Sequence, residues 1–240
     1  MKRYIPIVAA LAVLTGTAVA ADSPGNSPAK SKVTQVGYDW SGWYIGGEGG
    51  YAFRGNAEGS VGPFGGPGSP SFGADYSIKG WLYGGKLGAQ DYIAGTNLTF
   101  GLEAFIDKAD IDGSGAVSNT GGLVTASGKI KWFSGAHAKL GYAWNNLLPH
   151  VTVGGACAQN DLTLSAPGGS TTSNNYWSCG WSAGAGLDWA FTKNLILGVS
   201  YLHADLGNAN PSFPIVAGVG VSVPSNRDLD IVKASVSWKH

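Results

Sequence analysis

The chain has 240 residues, of which 12% are charged, with 15 basic and 15 acidic side chains in balance. That balance excludes the basic patch or stripe on which nucleic-acid binding depends. A charged fraction so far below the usual figure of about 25% leaves little to solvate the outside of an ordinary water-soluble globule, whereas 39 glycines with 9 Trp, 10 Tyr and 8 Phe suit closely packed strands.

Residues 1–20 read as an export signal: Met1-Lys2-Arg3 is a basic start, Ile5 to Leu14 an apolar run broken only by Pro6, and Ala18-Val19-Ala20 a small-x-small site that predicts cleavage between Ala20 and Ala21. Cleavage removes Lys2 and Arg3, leaving 13 basic and 15 acidic residues. No later apolar run reaches the roughly 18 residues of a transmembrane helix, so any membrane crossing must be made by strands. Residues 21–40, rich in Ser, Pro, Ala and Lys without a period, read as a periplasmic tail, and 41–240 as one domain.

From Trp43 onward the apolar residues alternate, as they do in a strand with two unlike faces. The first strand, near 43–54, sets Trp43, Ile45, Tyr51 and Phe53 against Gly46, Glu48, Gly50 and Arg54. A Gly/Pro-rich loop at 55–77 leads to the second, near 78–90, with Trp81, Tyr83, Leu87 and Ala89 opposite Gly84, Lys86, Gly88 and Gln90. A short turn at Ala94-Gly95-Thr96 opens the third, near 97–107, with Leu98, Phe100, Leu102, Ala104 and Ile106 opposite Thr99, Gly101, Glu103 and Phe105. After a loop at 109–127, the fourth (near 128–142) opposes Trp132, Ala136, Ala138, Leu140 and Tyr142 to Lys131, Gly135, His137, Lys139 and Gly141. Residues 144–147 turn into the fifth, near 148–159, with Val151, Val153 and Cys157 on one face. A loop at 161–176 precedes the sixth, near 177–190, with Cys179, Trp181, Leu187 and Trp189 opposite Ser182, Gly184, Gly186 and Asp188. Thr192-Lys193-Asn194 turns into the seventh, near 195–206. A last loop, 207–226, leads to the eighth, near 228–240, where Val232, Val236 and Trp238 oppose Lys233, Ser235 and Ser237.

Connections that run long, short, long, short, long, short, long put both ends and all short turns on one side, the periplasmic side in an outer-membrane barrel. Trp43, Tyr92, Trp144, Trp189, Phe191 and Trp238 fall near that side, where interfacial aromatics settle. An open sheet edge in hydrocarbon would leave backbone groups unpaired at several kcal/mol each, so the sheet must close. The fold expected is all-β, an eight-stranded antiparallel up-and-down transmembrane barrel. A secreted soluble barrel with its apolar face inward is the competing class. It fits poorly, because Trp, Leu and Val would overfill so narrow an inside and the Gly, Ser and Ala of the opposite face make a poor water-facing coat.

Several segments resemble the small OmpA-like outer-membrane proteins of α-proteobacteria, the porin-family outer-membrane immunogenic proteins. They are Trp40-Ser41-Gly42-Trp43-Tyr44-Ile45-Gly46-Gly47, Phe100-Gly101-Leu102-Glu103-Ala104, Leu140-Gly141-Tyr142-Ala143, Leu148-Pro149-His150-Val151, Gly184-Ala185-Gly186-Leu187-Asp188-Trp189 and Tyr201-Leu202-His203-Ala204-Asp205-Leu206-Gly207. The resemblance spans about residues 40–240 and implies an abundant, surface-exposed barrel with roles in envelope integrity, host contact or modest permeability. It implies contact with outer-membrane lipid and lipopolysaccharide, with the barrel-assembly machinery, and with a host or surface ligand through the loops. The family's last strand ends in Phe, which aids recognition by that machinery; this chain ends Trp238-Lys239-His240.

The lumen face collects Glu48, Lys86, Glu103, Lys131, Lys139, Asp188 and Lys233. Such a set makes either an ion-selective constriction, as in a small diffusion channel, or a salt-bridged filling. The filling is favoured, because eight strands enclose only enough room for side chains. Catalysis is not expected: His203 and Asp205 share a strand face, but Ser235 and Ser237 have the opposite parity, so a His–Ser–acid site of a lipid-modifying enzyme does not assemble. Cys157 and Cys179, both exported and on one parity across a hairpin, are read as a disulfide tying down the third surface loop. Without a suitably spaced His or acidic partner they do not read as metal ligands, and no cofactor is expected. The Gly-Gly pairs lack the strand-to-helix setting of a phosphate loop.

Overall fold

The computed structural model describes residues 37–61, 72–119, 122–165, 171–209 and 225–240. The predicted signal with its Ala20–Ala21 cleavage site, and residues 21–36 of the tail, lie outside them. Nine strand segments follow in chain order: β1 (Gly42–Val61), β2 (Phe72–Ser77), β3 (Lys79–Tyr92), β4 (Leu98–Asn119), β5 (Gly122–Tyr142), β6 (Leu147–Ser165), β7 (Thr171–Ala190), β8 (Leu195–Ala209) and β9 (Ser225–Lys239). Each pairs antiparallel with the next, except that β2 and β3 both pair with β1 and together make one stave interrupted at Ile78. β1 also pairs with β9, from Tyr44↔Lys239 to Ala57↔Arg227, and this seam closes an eight-stranded barrel.

Alternation selects what faces out. Exposed apolar side chains such as Ile45, Leu87, Leu102, Ile106, Val151, Val153, Val199 and Val236 form a continuous outer band. Trp43, Trp144, Trp189, Phe191 and Trp238 edge it at the end with the short turns, and Phe53, Trp81, Tyr83, Trp132, Trp177, Trp181 and Tyr201 at the other. Trp43 to Phe53 is ten steps along one strand. At ~3.3 Å per residue and a tilt of ~45°, the band is about 23 Å tall, close to the height of an outer-membrane hydrocarbon belt. Trp81, 68% exposed, would be badly placed in a water-soluble protein and is well placed at a lipid interface.

Three details depart from the sequence expectation. The ladders run far into the stretches read as loops: β1 reaches Val61 and β2 starts at Phe72, β4 and β5 pair as far as Asn119↔Gly122, and β6 and β7 as far as Ser165↔Thr171. Gly, Ser, Thr and Asn mark loops in an isolated stretch, but a hairpin already templated from below keeps its backbone paired. Next, β5 carries an irregularity between Ile130 and Trp132. The extra residue in a bulge shifts the alternation, so Lys131 and Trp132 both face outward. Last, residues 38–40 are no free tail. Trp40 is fully buried against Leu148, Ala190 and Ile196, with Tyr38, Tyr92 and Ala143 packed around it, and Tyr92 therefore turns inward rather than joining the aromatic ring outside.

Candidate functional site

Among the described residues the lumen is filled in three layers. The layer nearest the short turns is the Trp40 cluster. Trp40 Nε1 donates to the Asn145 carbonyl at 3.1 Å, the Trp40 N–H donates to Tyr92 OH at 3.2 Å, and Gln90 Nε2 donates to the Trp40 carbonyl at 2.8 Å. A hydrogen-bond partner thus meets each polar group of Trp40 carried into the mouth, as burial requires.

The middle layer holds the charges. Lys139 donates to Asp188 at 2.5 Å, and His150 Nδ1 lies 3.6 Å from the same carboxylate while donating to the Leu148 carbonyl at 3.2 Å. Lys86 stands 3.5 Å from Glu103, which also accepts a 2.7 Å bond from Tyr44 OH. Tyr44 has room because its partner across the β1–β3 ladder is Gly88: a Cβ there would sit 2.4 Å from the ring. Higher up, Lys233 donates at 2.6 Å to Glu48 and at 2.6 Å to Asp107, with its ammonium 3.8 Å from the Phe105 ring centroid. His137 Nε2 and Ser182 Oγ are hydrogen-bonded at 2.8 Å. A cavity of about 30 Å³ among Glu48, Lys86, Glu103, His137 and Lys233 is room for a water or two.

The third layer is apolar. Leu82, Phe105, Ile111, Ile130, Phe133, Leu202, Leu206, Leu229 and Ile231, with Ala52, Ala156 and Ala158, pack into one buried cluster on the loop side of the charges. Buried ion pairs are costly to desolvate unless each partner is satisfied, and apolar layers on both sides keep these in contact with one another instead of with bulk water.

Six of the seven residues assigned to the lumen from sequence, Glu48, Lys86, Glu103, Lys139, Asp188 and Lys233, meet there. Lys131 does not: the β5 bulge turns it outward, where it forms a half-exposed ion pair with Asp161. The sequence reading put His137 on the lumen face without assigning it a role, and missed Tyr44, Asp107, His150 and Trp40. Asp107 has the parity of Glu103 and Phe105, so running the alternation one more step would have found it. Trp40 carries no such signal, because it precedes the first strand.

Elsewhere, Cys157 and Cys179 are directly opposed in the β6–β7 ladder and joined by a disulfide on the outer face. His203 Nδ1 is 2.8 Å from Asp230 Oδ1, which also accepts a 2.7 Å bond from Tyr201 OH. Asp205 instead accepts from Trp181 Nε1 at 3.1 Å. Ser237 is buried in the lumen wall and Ser235 pairs with Gly198, so neither serine adjoins the His203–Asp230 pair.

A closed eight-stranded sheet with an apolar exterior, two aromatic girdles and a charged, filled lumen defines a β-barrel of the Gram-negative outer membrane. No protein-family model matches the chain. Its homologues are outer-membrane immunogenic proteins of Brucella. The 25 kDa outer-membrane immunogenic protein of Brucella abortus is 27% identical over 242 residues, 100% of this chain and 98% of that protein. The 31 kDa outer-membrane immunogenic protein of Brucella melitensis is 26% identical over 211 residues, 85% of this chain and 88% of that one. Among solved structures, the outer membrane protein OprG from Pseudomonas aeruginosa is similar in fold, with a TM-score of 0.57 at 11% identity over 85% of this chain and 98% of that chain.

Proposed function

We propose that the protein is a sealed barrel that contributes to envelope integrity and carries its long extracellular hairpins as contact surfaces, with no enzymatic activity. The observation that carries this reading is the three-layered lumen, in which an ion-paired centre lies between the Trp40 cluster and a dry apolar cluster. Ion flow would have to break Lys233 from both of its carboxylates and separate Phe105 from Phe133, whose ring centroids are 5.4 Å apart. The non-enzymatic reading is supported by the serines: Ser235 pairs with Gly198 and Ser237 is buried in the lumen wall, both away from the His203–Asp230 pair.

Two measurements on the protein refolded into lipid test the reading. Planar-bilayer recordings of a barrel verified by heat-sensitive gel mobility should be silent. Reproducible conductance steps, altered in selectivity when Lys86 or Glu103 is neutralised, would instead establish a small diffusion channel. Exchanging residues 62–71 or 210–224 should change antibody or host-surface binding while the barrel still assembles. Binding unaffected by every exchange would remove the surface-contact role.

A further inference from the structure

Residues 38–41 reach two of the three short turns and the ends of β3 and β9. Tyr38 OH donates to the Lys193 carbonyl at 3.0 Å, reaching the β7–β8 turn, and Trp40 Nε1 reaches Asn145 in the β5–β6 turn. Tyr92 OH and Gln90 Nε2 bond the segment from the end of β3, and Lys239 Nζ donates to the Asp39 carbonyl at 2.5 Å from the end of β9. At each end the segment is flanked by a glycine at positive φ, Gly37 at +134° and Gly42 at +121°, which other residues adopt only under strain. There is also no space for a side chain at either: a Cβ on Gly37 would meet Asn145 Cα at 2.8 Å, and one on Gly42 the His240 carbonyl oxygen at 2.8 Å. Behind Trp40 a cavity of about 10 Å³ is bounded by Tyr44, Lys86, Lys139, Asp188 and Ser237.

We propose that residues 38–41 are a lid, hinged at Gly37 and Gly42, over a chamber that contains the Lys86–Glu103 and Lys139–Asp188 pairs. The lid is held by side-chain hydrogen bonds to separate elements and by the packing of the Trp40 and Tyr38 rings, and not by a strand ladder. It therefore lifts locally while the barrel wall stays intact, the low-stability kind of opening that small hinged segments make. Because the apolar layer closes the other end, lifting the lid admits periplasmic water to the charges without opening a path through the membrane. The inference rests on the sealed-barrel reading only for that outer closure.

The test uses S237C as a reporter, since Ser237 lines the chamber behind the indole and the native cysteines are joined to each other. With the lid intact, the S237C barrel in nanodiscs should react slowly with a membrane-impermeant maleimide. Adding W40G should raise the rate by about tenfold or more, with bilayer recordings still silent. Equal labelling rates with and without W40G would overturn the lid. Conductance steps in the W40G protein with faster labelling would keep the lid and overturn the outer seal, so the two ideas fail separately. If W40G does not reach the heat-modifiable folded form, Q90L, which removes only the anchor on the Trp40 carbonyl, replaces it. Q90L should also accelerate labelling, and an unchanged rate there would count against the lid.

Discussion

Lys233 is the side chain on which the middle of the lumen turns. It is buried, it is the only ammonium within 4 Å of either Glu48 or Asp107 among the described residues, and both of those carboxylates are also buried. Removing one member of a buried ion pair leaves an uncompensated charge, at a cost of about 3–5 kcal/mol. K233M should therefore lower the urea midpoint of the barrel in lipid by a corresponding amount. K233M combined with E48Q and D107N, which removes the charges together, should recover most of the loss. A K233M protein as stable as the parent would mean that the cluster contributes nothing. Asp39, outside the membrane span, makes a prediction in pH. Partial burial acts to raise its carboxyl, but bonds from Ser41 Oγ at 2.6 Å and Ser41 N at 2.9 Å, with Lys239 nearby, outweigh burial and hold it below the ordinary aspartate value. A depressed carboxyl stabilises the fold above its unfolded value and loses that contribution as pH falls through the folded one. The heat-modifiable unfolding temperature of the barrel in lipid should accordingly fall below about pH 4, and D39N should flatten that acid limb.

At the scale of the element, the β6–β7 hairpin is the best test of how the extracellular extensions are held. The Cys157–Cys179 bond closes a stretch 22 residues apart in sequence, for which the chain-entropy account assigns about 3 kcal/mol. C157S with C179S should leave the heat-modifiable barrel intact and make residues 161–176 cleavable by protease at lower concentrations. Protease resistance identical to the parent's would show that the ladder alone secures the hairpin. The same hairpin shows how much could be read from the chain. Val151, Val153, Cys157, Cys179 and Trp181 alternate with small and polar residues, and period-2 alternation is a local signal that survives without homologues. The extension of the ladder to Ser165↔Thr171 was not legible, because it depends on a neighbour already held in place. The outward turn of Lys131 depends on a bulge, which composition does not mark. The burial of Trp40 depends on contacts with three turns distant in sequence.

At the scale of the whole molecule, the barrel carries large apolar side chains on its outer face and holds its buried charges in the lumen between two apolar layers. A charge on the outer band should cost much more than one in the lumen wall. V153R, at a position 60% exposed and midway between the girdles, should destabilise the barrel by about 2–4 kcal/mol in lipid. A neutral effect, read from denaturant titration in vesicles, would place Val153 outside the hydrocarbon. The charged lumen was nearly complete in the sequence because, in a barrel this narrow, parity alone decides what faces in. In the closing layers Trp40 and Ile111 lie just beyond the strands that parity identified, whereas Leu82, Phe133, Leu202 and Ile231 lie within them on the lumen parity.

His240 N donates to the Trp43 carbonyl at 3.1 Å and its ring stacks on Trp43 at 5.3 Å between centroids, so the last residue meets the start of the first stave. The wall is in effect an unbroken loop of staves, and where the polypeptide happens to be cut is a separate matter from how it is built. A circularly permuted version, with His240 linked to Gly42 and new ends opened at Ala94-Gly95, should weave the same wall while lacking any segment in position to cover its mouth.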